Sequence, residues 1–141
     1  MEKRTEVAGM RKIIAERMSE SWHVSPRVCY ELSVDMTYTK DLVKKLNENL
    51  DDKSKKVTMN HVLMKVCAQA MSEYEMFNSS FEDNEIVTHD SINIGLAVAV
   101  DDGLIVPNVK DVLNKDLRQV AVETNDAVAR MKNNRIPMDD I

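Results

Sequence analysis

The amino-acid sequence predicts a mixed α/β (α+β) domain, a mixed sheet with helices packed on it. Three observations carry this expectation. Residues 92–100 alternate strictly: Ile92, Ile94, Leu96, Val98 and Val100 fall on one face and Asn93, Gly95, Ala97 and Ala99 on the other, the period of a strand. Asp101, Asp102 and Gly103 then form a hairpin signal ahead of a second apolar run, Leu104, Ile105 and Val106, so some of the pairing is antiparallel. Helical and strand periodicities alternate along the remaining chain.

The alternating stretch is the element around which the others are arranged. One of its faces is bulky and β-branched, and the other is nearly bare. A bare face lets a helix, another sheet or a thin ligand come close to the backbone. Pro107 stops the second run, because it cannot donate a ladder hydrogen bond and belongs at an edge or a strand end.

In chain order, the spacing predicts a helix from Met10 to Trp22, entered at Gly9. Met10, Ile13, Ile14, Met18 and Trp22 form its apolar stripe, and its basic residues read as a solvated face in preference to an anion site. Val28, Tyr30, Leu32, Val34 and Met36 alternate with Cys29, Glu31, Ser33 and Asp35, which predicts a second strand. Thr37 or Thr39 should cap the following helix, whose inner stripe is Leu42, Val43, Leu46 and Leu50. Thr58 caps the next helix, which runs to about Tyr74 and is apolar nearly all round, so burial on several sides is expected. His61 in its first turn reads as a local hydrogen-bond partner. Residues 77–90 read as two short strands joined by an Asp-Asn turn. A last helix, capped within Asn114, Lys115 and Asp116, buries Leu117, Val120, Ala121, Thr124, Val128 and Met131, with Arg130, Lys132 and Arg135 suited to its C-terminal dipole. Pro137 and the two aspartates after it resemble the cap of a further helix.

The 141 residues suit one domain with a real core, and a net charge of −5 argues against a general nucleic-acid role. No apolar run is long enough to cross a bilayer, and the N-terminus has no secretory hydrophobic core. Cys29 and Cys67 lie in apolar-patterned segments without metal spacing, which predicts two buried free thiols in a reducing compartment. Ten methionines imply a soft, adaptable core. Ready-made chemistry is absent. The only glycines are Gly9, Gly95 and Gly103, too few for a phosphate loop, and there is neither a zinc spacing nor a Gly-x-Ser-x-Gly elbow. His23, His61 and His89 lie in unrelated segments. The residues by themselves assign no catalytic group and no metal ligand, and leave cofactor-binding residues unknown.

Longer motifs carry more. Met10-Arg-Lys-Ile-Ile-Ala-Glu-Arg-Met18 resembles the Arg-Lys-x-Ile-Ala-x-Arg-Met opening of the acyltransferase domain of 2-oxo acid dehydrogenase complexes, the dihydrolipoamide acyltransferases. Ser25-Pro-Arg-Val-Cys29 resembles that family's Pro-His-Val-Thr segment, and Val34-Asp-Met-Thr37 its Val-Asp-Val-Thr. Lys56-Val-Thr-Met59 is similar to its Lys-Leu-Thr, and Phe77-Asn-Ser-Ser80 to its Asn-Ala-Ser turn. The most specific part is Asn93-Ile-Gly-Leu-Ala-Val98 with Asp102-Gly-Leu-Ile-Val-Pro-Asn-Val109. These segments follow in register over nearly the whole chain.

The resemblance implies a chloramphenicol-acetyltransferase-like fold whose subunits form trimers, and trimers a larger hollow core. It implies transfer of an acyl group between lipoyl-lysine and coenzyme A, the two substrates, with no metal. A histidine would serve as general base on the thiol and a hydroxyl donor would hold the oxyanion. It also implies other complex subunits and a lipoyl domain as partners, and a cytoplasmic location in a bacterium or the mitochondrial matrix in a eukaryote. This sequence departs from the family in one decisive respect. The family's His-x-x-x-Asp-Gly motif matches none of His23, His61 or His89, and its Thr-Ile-Ser-Asn segment is not found. Arg27 stands where the family usually has a histidine, which puts a channel role there in doubt. Residues 1–141 are therefore expected to be a single domain, the N-terminal larger part of an acyltransferase catalytic domain that lacks its C-terminal catalytic segment and is inactive alone. The alternative is a non-catalytic assembly or oligomerisation module derived from that domain. The acyl group carried is not legible.

Overall fold

The computed structural model describes residues 2–100 and 103–132. Four helices, α1 (Met10–Val24), α2 (Thr37–Asn47), α3 (Met59–Glu73) and α4 (Leu117–Lys132), frame a β region between α3 and α4. The strands are β1 (Ser79–Glu82), β2 (Glu85–Thr88), β3 (Ile94–Gly95), β4 (Val98–Val100), β5 (Gly103–Ile105) and β6 (Asn108–Val109). All described ladders are antiparallel pairs: β1 with β2, β3 with β6 and β4 with β5.

The last two pairs are one long hairpin. Ile94 faces Val109, Val98 faces Ile105, and Val100 faces Gly103, so a single register runs through both. Between them Leu96 N–H donates to Pro107 C=O at 3.0 Å. Pro107 has no N–H to return, and the ladder lapses there. The alternating stretch thus forms the predicted hairpin, with Asp101 and Asp102 outside the described residues. The β1–β2 turn also follows expectation. Asp83 and Asn84 adopt φ of 48° and 66°, the left-handed pair that a tight hairpin turn demands and that Asp and Asn tolerate.

The core is where the hairpin's bulky face meets two helices. Met64 and Ala68 of α3, Ile92, Val109 and Val112 of the hairpin, and Val120 of α4 form it, with Met71, Ile94 and Leu113 at its margin. α4 buries Val120, Ala121, Thr124, Ala127 and Met131, close to its predicted face. Its cap is reciprocal: Gln119 N–H donates to Asp116 Oδ1, and Asp116 N–H donates to Gln119 Oε1, both at 2.8 Å. Arg135 and Pro137 lie outside the described residues.

Polar side chains fasten the connections to this core. The Lys65 ammonium on α3 donates to the carbonyls of Val112, Leu113 and Lys115 at 3.1, 2.9 and 2.7 Å. Arg118 on α4 donates to the carbonyls of Lys55 and Leu46, and Asn125 to those of Ser54 and Lys56. Asn47 holds both the N–H and the C=O of Val57. These contacts replace secondary structure where the backbone has none to offer.

Several expectations fail, and most for one reason. Residues 28–36 form no strand, because no described segment lies alongside to complete a ladder; Tyr30 and Leu32 are 85% and 88% exposed. The α1 stripe is exposed along its length, Trp22 included. α3 buries only His61, Met64 and Ala68, and leaves Leu63 and Val66 in solvent. Asn93, Gly95, Ala97 and Ala99 form an exposed face. Cys29 and Cys67 are both exposed. Periodicity marks a face that needs covering, and the cover is not among the described residues. The accessible surface, 11766 Å², exceeds by more than half the about 7,400 Å² expected for a globular monomer of 16.1 kDa. The α2 start differs for a local reason. Met36 is the N-cap residue, and Thr37 is already inside the helix with its N–H and hydroxyl donated to Asp35 Oδ1 at 2.9 and 2.6 Å, so neither Thr37 nor Thr39 caps as expected.

Candidate functional site

Among the described residues, a concavity of about 630 Å³ opens where the β1–β2 hairpin meets the start of the long hairpin. Asn78, Thr88, His89, Asp90, Ser91 and Asn93 line it. A second cavity of about 260 Å³ shares Asn78, Thr88, His89 and Asp90 and runs toward Met71 and Leu113.

The walls are rigid for reasons in the sequence. Asn78 Nδ2 donates to the carbonyls of His89 and Ser91 at 2.6 and 3.3 Å, tying the end of β2 back to the start of β1. Asn93 Oδ1 accepts from the Ser91 hydroxyl and from the N–H of Asp111, each at 2.9 Å. Asp111 takes a φ of 48° to present that N–H. Asn78 Nδ2 and Asn93 Oδ1 are therefore spent on these bonds, and the lining hydroxyls are engaged too, Ser91 on Asn93 and Thr88 on the Ser79 hydroxyl.

The three histidines separate clearly. His23 lies exposed on α1 with Nδ1 2.6 Å from the Ser19 carbonyl. His61 is buried and accepts the Thr58 N–H, the local partner role read from its position. His89 alone reaches the cavity. Its Nε2 is 3.0 Å from Ser80 Oγ, which itself donates to Glu82 Oε1 at 2.6 Å. In a nucleophilic triad the imidazole stands between hydroxyl and carboxylate. Here the hydroxyl is in the middle, so the carboxylate does not orient the ring and the serine proton points away from it. The arrangement positions Ser80; it does not activate it.

Arg27 stacks on the Trp22 ring, 4.5 Å from its centroid, and donates to the Ser21 hydroxyl. It is exposed and lines neither cavity. Among the described residues no group of three or more His, Cys, Asp or Glu could hold a metal ion. No helix among them is long and apolar enough to cross a membrane. Sequence reasoning did not single out the cavity. The Phe77-Asn-Ser-Ser80 turn was the available signal, since an asparagine before two serines at a strand start can tie two strand ends together.

The fold and its organising hairpin define a class. The model of the 2-oxoacid dehydrogenase acyltransferase catalytic domain matches residues 1–141, and the chain belongs to that family. Its fold is that of the family's acyltransferase catalytic cores. A dihydrolipoamide acetyltransferase of Azotobacter vinelandii superposes with a TM-score of 0.89 at 27% identity, over 98% of this chain and 58% of that one. A truncated catalytic core of the 2-oxoacid dehydrogenase multienzyme complex of Thermoplasma acidophilum superposes with a TM-score of 0.88 at 25% identity, over 99% of this chain and 64% of that one. By sequence, the acetyltransferase component of the Mycoplasma genitalium pyruvate dehydrogenase complex is 31% identical over 96% of this chain and 36% of its own length. The corresponding component of the Bacillus subtilis acetoin cleaving system is 27% identical over 96% of this chain and 34% of its own. The chain thus spans about a third of the length of these relatives.

Proposed function

We propose that residues 1–141 are the N-terminal larger part of a dihydrolipoamide acyltransferase catalytic domain, which in its complete form moves an acyl group between lipoyl-lysine and coenzyme A. The observation that carries this reading is the match over nearly all of this chain but only 58–64% of two solved cores. Transfer between two thiols needs a base for the attacking thiol and a donor for the tetrahedral oxyanion. His61 is committed to the backbone and His23 lies on an exposed helix. His89 sits beside a serine whose proton goes to Glu82. None of the three is arranged as that base, and these residues alone are inactive.

The test is acetyl transfer from acetyl-coenzyme A to dihydrolipoamide, beside an intact family domain. Loss of a general base alone lowers rate by about 10²–10⁴. No turnover above background is expected; turnover comparable to the intact domain would refute the reading and direct attention to His89.

A second reading, a non-catalytic assembly module, is favoured by the uncovered apolar side chains Trp22, Val28, Tyr30, Leu32 and Val34. Unpaired extended backbone and exposed apolar side chains recruit another chain. Both readings predict self-association by sedimentation velocity at tens of micromolar, as an order of magnitude. A clean monomer would sink the assembly module and the self-association expected of the first reading as well. Activity separates the two when this segment is assayed within a complete acyltransferase domain: the enzyme reading gains turnover and the module reading does not. Homo-oligomers, a lipoyl domain and the other complex subunits are the partners this proposal implies, in the bacterial cytoplasm or the mitochondrial matrix.

A further inference from the structure

We propose that His61 is an acid-sensitive latch joining the start of α3 to the α2–α3 connection, closed only while its ring is neutral. The Thr58 N–H lies 3.0 Å from His61 Nδ1, and a backbone N–H can only donate. Nδ1 must therefore be unprotonated, and the neutral ring carries its proton on Nε2. The Thr58 side chain in return accepts the His61 backbone N–H, which completes a capping box with a histidine where glutamate or glutamine is usual. That difference makes this cap titratable near neutrality.

The surroundings oppose a charge on the ring. His61 is 2% exposed, and among the described residues its ring has no hydrogen-bond partner but Thr58. The flanking elements carry both signs of charge: Glu48, Asp51 and Asp52 stand beside Lys53, Lys55 and Lys56 in the connection, with Lys44 and Lys45 on α2 and Arg118 on α4, so burial and not a neighbouring charge disfavours the imidazolium. Asp52, one of these acids, is engaged with Ser54 and Lys55. The ring also faces the positive end of the α3 dipole. Burial holds its proton affinity below that of an ordinary histidine, near 6.5. The unfolded or opened segment therefore binds the proton more tightly. Closure is complete above that value and is lost as pH falls below it.

The other fastenings of this connection, from Asn47, Asn125 and Arg118, do not titrate in this range. Acid thus loosens one clamp among several. The first turn of α3 should open locally while the core through Met64 and Ala68 remains.

The experiment is pH-dependent amide exchange on the full chain, read at Thr58 to Val62 and corrected for intrinsic rate, beside His61→Gln. Glutamine caps without titrating. Between pH 7.5 and 5.5 protection of these amides should fall, by up to about tenfold, in the parent and stay level in His61→Gln. A parallel fall in both, or none in the parent, overturns the latch. Should His61→Gln fail to fold, nitrogen NMR of the parent's histidines decides. The proposal requires the Nε2–H tautomer at neutral pH and titration below 6.5; a proton on Nδ1, or ordinary titration, refutes it.

Discussion

Replacing Lys65 with methionine should destabilise the fold. The Lys65 ammonium uses three donors on three carbonyls, of Val112, Leu113 and Lys115, all near 3 Å. Each hydrogen bond to a charged group contributes about 1.5–3 kcal/mol net when taken singly. The three share one ammonium and the site is only part-buried, so the values do not add in full, and water can reach some of the orphaned carbonyls. A loss of about 2–4 kcal/mol is expected, against a total stability of about 5–15 kcal/mol for an ordinary domain. Methionine preserves the apolar stem and cannot donate, which isolates the head group. At this chain length the loss corresponds to a fall of about 10 °C in thermal midpoint. Arginine should rescue poorly, because a planar fork cannot aim three donors at carbonyls arranged around one point. Thermal unfolding followed by circular dichroism measures the effect, and amide exchange at residues 112–117 locates it. A midpoint within about 1 °C of the parent would refute the reasoning and imply that water already holds those carbonyls.

Three further outcomes follow from particular contacts. A Cβ on Gly103 would stand 2.6 Å from Met10 Sδ and 3.2 Å from Ile14 Cδ1, so Gly103→Val should lift α1 from the hairpin, increasing protease cleavage within residues 10–24 while the core's thermal midpoint moves little. A Cβ on Gly95 would meet Val106 Cγ1 at 2.7 Å, and since valine is stiff at χ1, Gly95→Ala should cost about 1–3 kcal/mol in urea unfolding, whereas Ala97→Leu on the same exposed face should change it by less than about 0.5 kcal/mol. Asp116→Ala removes the cap of α4 and should cost about 0.5–2 kcal/mol, with exchange accelerating first at Gln119.

The sequence by itself determined the elements whose signals are local. The Asp83-Asn84 turn, the capping by Thr58 and Asp116, the inner face of α4 and the hairpin's bulky face all follow from rules acting over a few residues. The family motifs could be placed on those elements before any coordinates. Tertiary structure decided what local rules cannot reach. Residues 28–36 alternate as cleanly as residues 92–100, yet only the latter stretch folds back on a partner; alternation specifies a strand's faces, and a ladder requires a second chain segment. The stripes of α1 and α3 likewise state what must be covered and are silent on what covers it. The cavity around His89 depends on two asparagine side chains reaching across 11–18 residues of sequence to fix backbone. Lys65, unremarkable in a helical pattern, acquires its role from carbonyls 47–50 residues away. Hydrogen bonds of that span exist only once the chain has closed on itself, because the entropy of bringing their ends together is offset by the whole core and not by any one of them.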